Sequence, residues 1–317
     1  MNENSKAIIV LCSYLCADSE VRPLEPAEWS ALAVLLKKKS LQPEDVLKMG
    51  SLDLQEKFHL NENEALRILR LSERSVSIGF EVERLQTKGI SIMTRADRYF
   101  PGVLKKKLGK SCPPLLYYVG NPSILENRFI GMVGSRSVSE TDMAFTEKIV
   151  ETSCSKGFSI VSGGANGVDT AAVSSALLHG AMCVEYLSDS LLRKIRNKKV
   201  IDAIRDDSLL LMSVAKPDAG FSVGMAMARN KYIYSQSEGT VVVKSDFNKG
   251  GTWSGAVENI KQNRCQTFVW NNADYKGNIE LVKKGAIPID EKWNGELHFN
   301  NVQNMQLENL TLEDCSA

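Results

Sequence analysis

The sequence predicts an α/β fold, a doubly wound and mostly parallel sheet preceded by a small helical module. Three observations predict it. Six short apolar runs are separated by helix-length segments, glycine-rich loops follow three of those runs, and the chain before residue 88 carries apolar residues at three-to-four spacing instead of alternation. A chain of 317 residues is long enough for one α/β domain plus one or two smaller modules. The expected division is a helical module over 1–88, the α/β domain over 89–290 and a polar, acidic tail over 291–317.

Taken in order, Ala7–Cys12 is an apolar run too short to span a bilayer and without a small-residue cleavage site after it, so it reads as a helix of a cytoplasmic protein with no membrane contact. Trp29, Leu32, Leu35 and Leu36, then Leu66, Ile68, Leu69 and Leu71, mark further helices; Pro26 opens one and Gly89 ends the last. The Lys37-Lys38-Lys39 run reads as a solvated helix end. Ile90 with Ile92 and the Leu115–Val119 run alternate as strands do, with prolines at the turns between them. The α/β alternation follows, with strands at Phe129–Val133, Phe158–Val161, Met182–Leu187, Leu209–Met212, Thr240–Val243 and Thr267–Trp270.

Composition excludes more than it selects. The chain is 43% hydrophobic and 24% charged with a formal charge of +1, so only local clustering can mark a nucleic-acid face. Seven scattered cysteines without a CxxC pair read as reduced thiols. Three distant histidines, His59, His179 and His298, match no zinc spacing, and the sequence gives no reason to expect a metal or a cofactor.

In a doubly wound sheet the ligand lies at the carboxyl ends of the strands, where the glycine loops fall. Gly134-Ser135-Arg136-Ser137 offers a guanidinium fork and two hydroxyls to a phosphate. In Ser162-Gly163-Gly164-Ala165-Asn166-Gly167-Val168-Asp169 the glycines let backbone N–H groups approach a second phosphate, and Asp169 steers the following helix. Lys249-Gly250-Gly251-Thr252 repeats the device at the start of a Trp253–Asn263 helix. Arg229, Asn230 and Lys231 supply the charged wall of a groove, with a salt bridge as the competing role for Lys231. Arg193 leads a basic run with Lys194, Arg196, Lys198, Lys199 and Arg205 that extends the groove along a strand of phosphates, set against a solvated helix for Lys198 and Lys199. Tyr186 and Phe221 are candidates for stacking on bases, although apolar-neighboured aromatics are more often core. No nucleophile stands out, so a non-catalytic binding protein is the expectation.

The order of these motifs resembles that of the DprA/Smf family of DNA-processing proteins over about residues 85–290. The resemblance runs from Gly89-Ile90 and Asp97-Arg98-Tyr99-Phe100-Pro101 through Pro113–Asn121, Val133–Arg136 and Ile160–Asp169. It continues at Phe221, Ala228–Ile233, Val241–Val243, Lys249–Thr252 and Lys284-Gly285-Ala286. It implies an extended Rossmann-like fold preceded by a helical module of the SAM or helix-hairpin-helix kind. It also implies a dimer that binds single-stranded DNA without cutting it and passes it to a RecA-type recombinase, in transformation or in general recombination. Asn166 and Lys231 replace arginines usual in that family, and Ser213-Val214 stands where Ser-Glu is common. The tail after Ala286 is too short for the C-terminal winged helix many members carry.

Two other readings stay open. Gly250-Gly251-Thr252 followed by Glu258 is similar, though shifted, to the loop of phosphoribohydrolase-like nucleotide enzymes. A DNA or nucleotide sensor in anti-phage defence would also fit the softened basic positions. Dinucleotide oxidoreduction is disfavoured, because Gly131-x-x-Gly134 lacks the full G-x-G-x-x-G order.

Overall fold

Helix formation at the start of the chain follows from caps and apolar spacing. In a computed structural model, which describes residues 1–16 and 21–297, six helices precede the sheet: α1 (Glu3–Cys12), α2 (Pro26–Lys38), α3 (Pro43–Val46), α4 (Ser51–Phe58), α5 (Glu62–Glu73) and α6 (Ser75–Gln86). The Asn2 and Asn61 side chains accept the Ser5 and Glu64 amides, and proline opens α2 and α3, where a missing N–H costs nothing. Ala7 to Cys12 are all buried, so this part of α1 is apolar all round because other elements surround it. It packs on α3 and α5 and reaches the sheet, where the Thr94 hydroxyl donates to Ser5 Oγ at 3.0 Å and Ser5 Oγ donates to Asp97 at 2.7 Å.

Nine strands follow: β1 (Ser91–Thr94), β2 (Leu115–Val119), β3 (Phe129–Val133), β4 (Ser159–Ser162), β5 (Cys183–Leu187), β6 (Leu209–Ser213), β7 (Gly239–Val242), β8 (Gln266–Trp270) and β9 (Ile287–Ile289). Between them run α7 (Gly102–Leu108), α8 (Glu140–Ser155), α9 (Val168–Leu178), α10 (Leu191–Lys194), α11 (Lys198–Arg205), α12 (Val223–Gln236), α13 (Gly250–Gln262) and α14 (Lys276–Lys283). The sheet order is β1-β2-β6-β5-β4-β3-β7-β8-β9. From β6 to β9 all pairs are parallel, and β1 with β2 extends the β6 edge in antiparallel fashion. The mostly parallel, doubly wound α/β architecture expected from the sequence is therefore present.

Both faces of the sheet are covered. Ile130 and Met132 of β3 join an apolar cluster that runs from Ile8 and Leu11 of α1 through Ile160 to Phe268, while Phe129 and Val133 join a second cluster with Tyr186, Tyr232 and Trp253. Alternate residues serve opposite layers, which is why these strands read as continuous apolar runs.

Three local features differ from expectation. The edge strand β9 has no alternating signature of its own; Pro288 at its centre is compatible only with an edge position. The basic run is two short helices, α10 and α11, because the Asn197 side chain accepts the Lys199 and Val200 amides and starts a new helix there. The third glycine loop is itself helical, since α13 begins at Gly250 and not at Trp253. The tail segment Leu307–Ala317 and His298 lie outside the described residues. Among the described residues no helix is long and apolar enough to cross a membrane, and Cys12, Cys112, Cys154, Cys183 and Cys265 are free thiols.

Candidate nucleic-acid interface

Strand order dictates where a crevice can open. The chain steps from β3 outward to β6 and then returns along α12 to place β7 on the other side of β3. The connections leaving β3 and β7 therefore diverge, and ligands of doubly wound sheets sit at such a switch point. A cavity of about 370 Å³ lies there. One wall is the loop Gly134–Arg136 after β3, a second is Lys244–Asp246 after β7 with Lys249–Thr252 at the head of α13, and a third is Phe221–Asn230 at the start of α12. Ala165 and Asp169 contribute from the loop after β4.

The walls are tied to one another. The Thr252 hydroxyl donates to the Gly134 carbonyl at 2.9 Å, and the Asn230 amide donates to the Gly251 carbonyl at 2.9 Å. Gly167 has φ +80°, and a Cβ there would stand 2.4 Å from the Ser135 carbonyl oxygen, so only glycine lets the loops after β3 and β4 touch. No side chain caps the first turn of α13. Its leading amides and the positive end of its dipole are left for an anion in the crevice.

Cations and an aromatic line the mouth. The exposed Arg136 guanidinium lies 4.9 Å from the centre of the Phe221 ring, a cation–π arrangement that holds both side chains at the rim. Tyr186, the other stacking candidate, is fully buried and donates to Gln236 Oε1 at 3.2 Å, so it belongs to the core. Phe221 is 46% exposed, a position its apolar neighbours in sequence did not signal.

Several predicted groups do something else. Arg229 is buried in the floor, with Nη1 3.8 Å from Asp169 Oδ2, and its Nε and Nη1 have no hydrogen-bond partner. Burial lowers its pKa, opposed by the nearby Asp169 and Glu185 carboxylates. Burial likewise raises the pKa of Asp169, opposed by Arg229 and by the Ala165 amide, which donates to Asp169 at 3.2 Å. Arg229 is thus a floor residue and not an open wall of the groove. Ser162 is wholly buried and its hydroxyl donates to the Met132 carbonyl at 2.7 Å, joining β4 to β3 instead of meeting a phosphate. Gly163 is covered by Arg229.

The remaining candidates stand apart from the crevice lining. Lys231 is partly buried with Nζ 5.2 Å over the Tyr232 ring, and burial lowers its pKa. Arg193 is paired with Asp189, and Lys194 is held by the buried Glu185 at 2.7 Å, with the Gly164 carbonyl 3.4 Å away. Ser137 is exposed, its amide donating to Ser135 Oγ at 3.1 Å, and Asn166 is exposed on its loop. Glu258 pairs with Arg264 at 2.7 Å and does not line the crevice, which leaves the nucleotide-enzyme reading without its acid. Among the described residues no group of three His, Cys, Asp or Glu side chains could hold a metal ion. Sequence reasoning missed Lys244, Val223 and Met227. Lys244 had a signal, since it follows a predicted strand end just as Arg136 does.

Fold and crevice together define a Rossmann-like protein with a cationic, glycine-lined cleft at the switch point of its sheet. Residues 91–295 match the family model of DNA recombination-mediator protein A, and the chain belongs to that family. The chain is 28% identical over 217 residues to Protein Smf of Synechocystis sp., a match covering 65% of this chain and 53% of that protein. It is 30% identical over 140 residues to DNA processing protein DprA of Streptococcus pneumoniae, covering 44% of this chain and 49% of that one. It therefore spans about half the length of these two curated relatives. In fold it is similar to the crystal structure of the S. pneumoniae protein, with a TM-score of 0.59 at 22% identity over 82% of this chain and 94% of that one. A structure of DNA processing protein A from Helicobacter pylori, a protein with its own single-stranded DNA binding mode, is similar with a TM-score of 0.53 at 26% identity over 69% of this chain and 96% of that one.

Proposed function

We propose that this chain is a non-catalytic, cytoplasmic binder of single-stranded DNA that protects the strand and, as a homodimer, passes it to a RecA-type recombinase. The observation that carries the reading is the switch-point crevice, where Arg136, Lys249 and the uncapped start of α13 converge on a space of about 370 Å³. Phosphate contacts there give affinity without sequence preference, and the exposed Phe221 offers a face on which any base can stack. Membership of the mediator family and the likeness to the H. pylori protein support it.

The test is fluorescence anisotropy of a labelled oligo-dT strand against duplex of equal length, across a salt series, with wild type and Arg136→Ala. The expected result is preference for the single strand, affinity that falls steeply with salt, and weaker binding by the variant. Absence of binding at low salt overturns the reading and favours a small-nucleotide ligand for the same cavity.

A further inference from the structure

Lys244 lies two residues beyond the end of β7, on the crevice wall between Gly134 and the head of α13. Its position is set by side chains from the two neighbouring strand ends. Asp142, in the first turn of α8 after β3, is completely buried and holds Lys244 Nζ at 3.2 Å from Oδ2. The same oxygen accepts the Ser139 amide at 2.8 Å, and Oδ1 accepts the Tyr275 hydroxyl from just before α14. Lys244 Nζ also sits 5.1 Å over the Tyr275 ring.

Asp142 does not depend on the lysine alone. Two donors besides Lys244 and the positive end of α8 already compensate its charge. Burial pushes its pKa up, but the hydrogen bonds from Tyr275, Ser139 and Lys244 outweigh that and hold it below the ordinary carboxylate value. An ammonium has three protons, and Asp142 takes one. The side chain stays 24% exposed. A lysine tethered in this way loses less rotamer freedom on meeting a phosphate than a free surface lysine does.

We infer that Lys244 is a phosphate-binding residue of the crevice and that Asp142 and Tyr275 are its positioning residues. This rests on the single-strand reading above and adds to it a cation, fixed in place by the ends of β3, β7 and β8.

The experiment is oligo-dT binding across a salt series with wild type, Lys244→Met, Lys244→Arg, Tyr275→Phe and the Lys244→Met/Tyr275→Phe double variant, with thermal unfolding of each. Lys244→Met should weaken binding about five- to tenfold and reduce the slope of log K against log salt by about 0.7, the loss of one phosphate contact. Lys244→Arg should keep the slope. Tyr275→Phe should weaken binding about two- to threefold, and that loss should vanish in the Lys244→Met background, because a positioning effect needs the lysine. If Lys244→Met lowers only thermal stability and leaves affinity and slope at wild-type values, the lysine merely neutralises Asp142 and the inference is overturned. Lys244→Arg with the slope of Lys244→Met would overturn it too. A wild type that binds no strand at low salt overturns the single-strand reading and this inference with it, an outcome distinct from a binding wild type with indifferent variants.

Discussion

The Arg229 guanidinium occupies the space where a side chain on Gly163 would begin: a Cβ built on Gly163 stands 1.1 Å from Nη1. The glycine is required for a contact 66 residues away in sequence, and that contact forms the floor of the crevice.

Gly163→Ala should therefore displace the Arg229 guanidinium from the crevice floor. Arg229 is buried and held near Asp169, so the guanidinium has to leave that carboxylate and swing into the crevice it lines. Overpacking of this kind costs about 1–3 kcal/mol or more. A lowered thermal midpoint for Gly163→Ala, partly restored by adding Arg229→Ala, is the expected outcome. A midpoint equal to wild type for Gly163→Ala would refute the packing argument.

Stability should fall in acid partly through Glu28. Hydrogen bonds from Arg67, at 2.8 and 3.0 Å, lower its pKa from 4.5 to about 2, against a smaller upward push from burial. A carboxylate with a depressed folded pKa binds more protons when unfolded. Its contribution is present above pH 4.5 and is lost as pH falls toward 2. Urea unfolding across that range should show a shallower acid decline for Glu28→Gln than for wild type, and parallel curves would remove Glu28 from the account.

Phe221→Ala should weaken single-strand binding by about 1–3 kcal/mol per stacked base while leaving the salt slope unchanged, because stacking releases no counterions. Phe221→Trp should retain affinity. An unchanged affinity for Phe221→Ala would show that the exposed ring serves only to brace Arg136.

Arg193→Ala and Lys249→Ala should separate, although both residues sit in basic or glycine-rich motifs. Arg193 is paired with Asp189 outside the crevice, and removing an exposed pair of this kind is worth little. Lys249 precedes α13 at the crevice wall without capping it through its side chain. Anisotropy titrations should place Arg193→Ala within about twofold of wild type and Lys249→Ala well below it, with a smaller salt slope. Equal losses would instead mean that the strand runs across α10.

The sequence by itself determined the strands from β1 to β8, the helices between them and the loops that face a ligand. Those are local matters, since apolar runs of four to six residues bury both sheet faces and glycines permit the backbone turns between strand and helix. Only the tertiary structure decided which charges face the crevice. Arg229, Asn230 and Lys231 are adjacent in sequence, but successive helical residues point about 100° apart, so one is buried in the floor, one ties down Gly251, and one packs over Tyr232. Lys194 is taken by Glu185 from β5. Lys244 is brought to the wall by Asp142 and Tyr275, which come from 102 residues before it and from the far side of β8. Pattern within a segment sets its conformation, whereas the direction of a charged side chain depends on counter-charges that folding brings from distant strands.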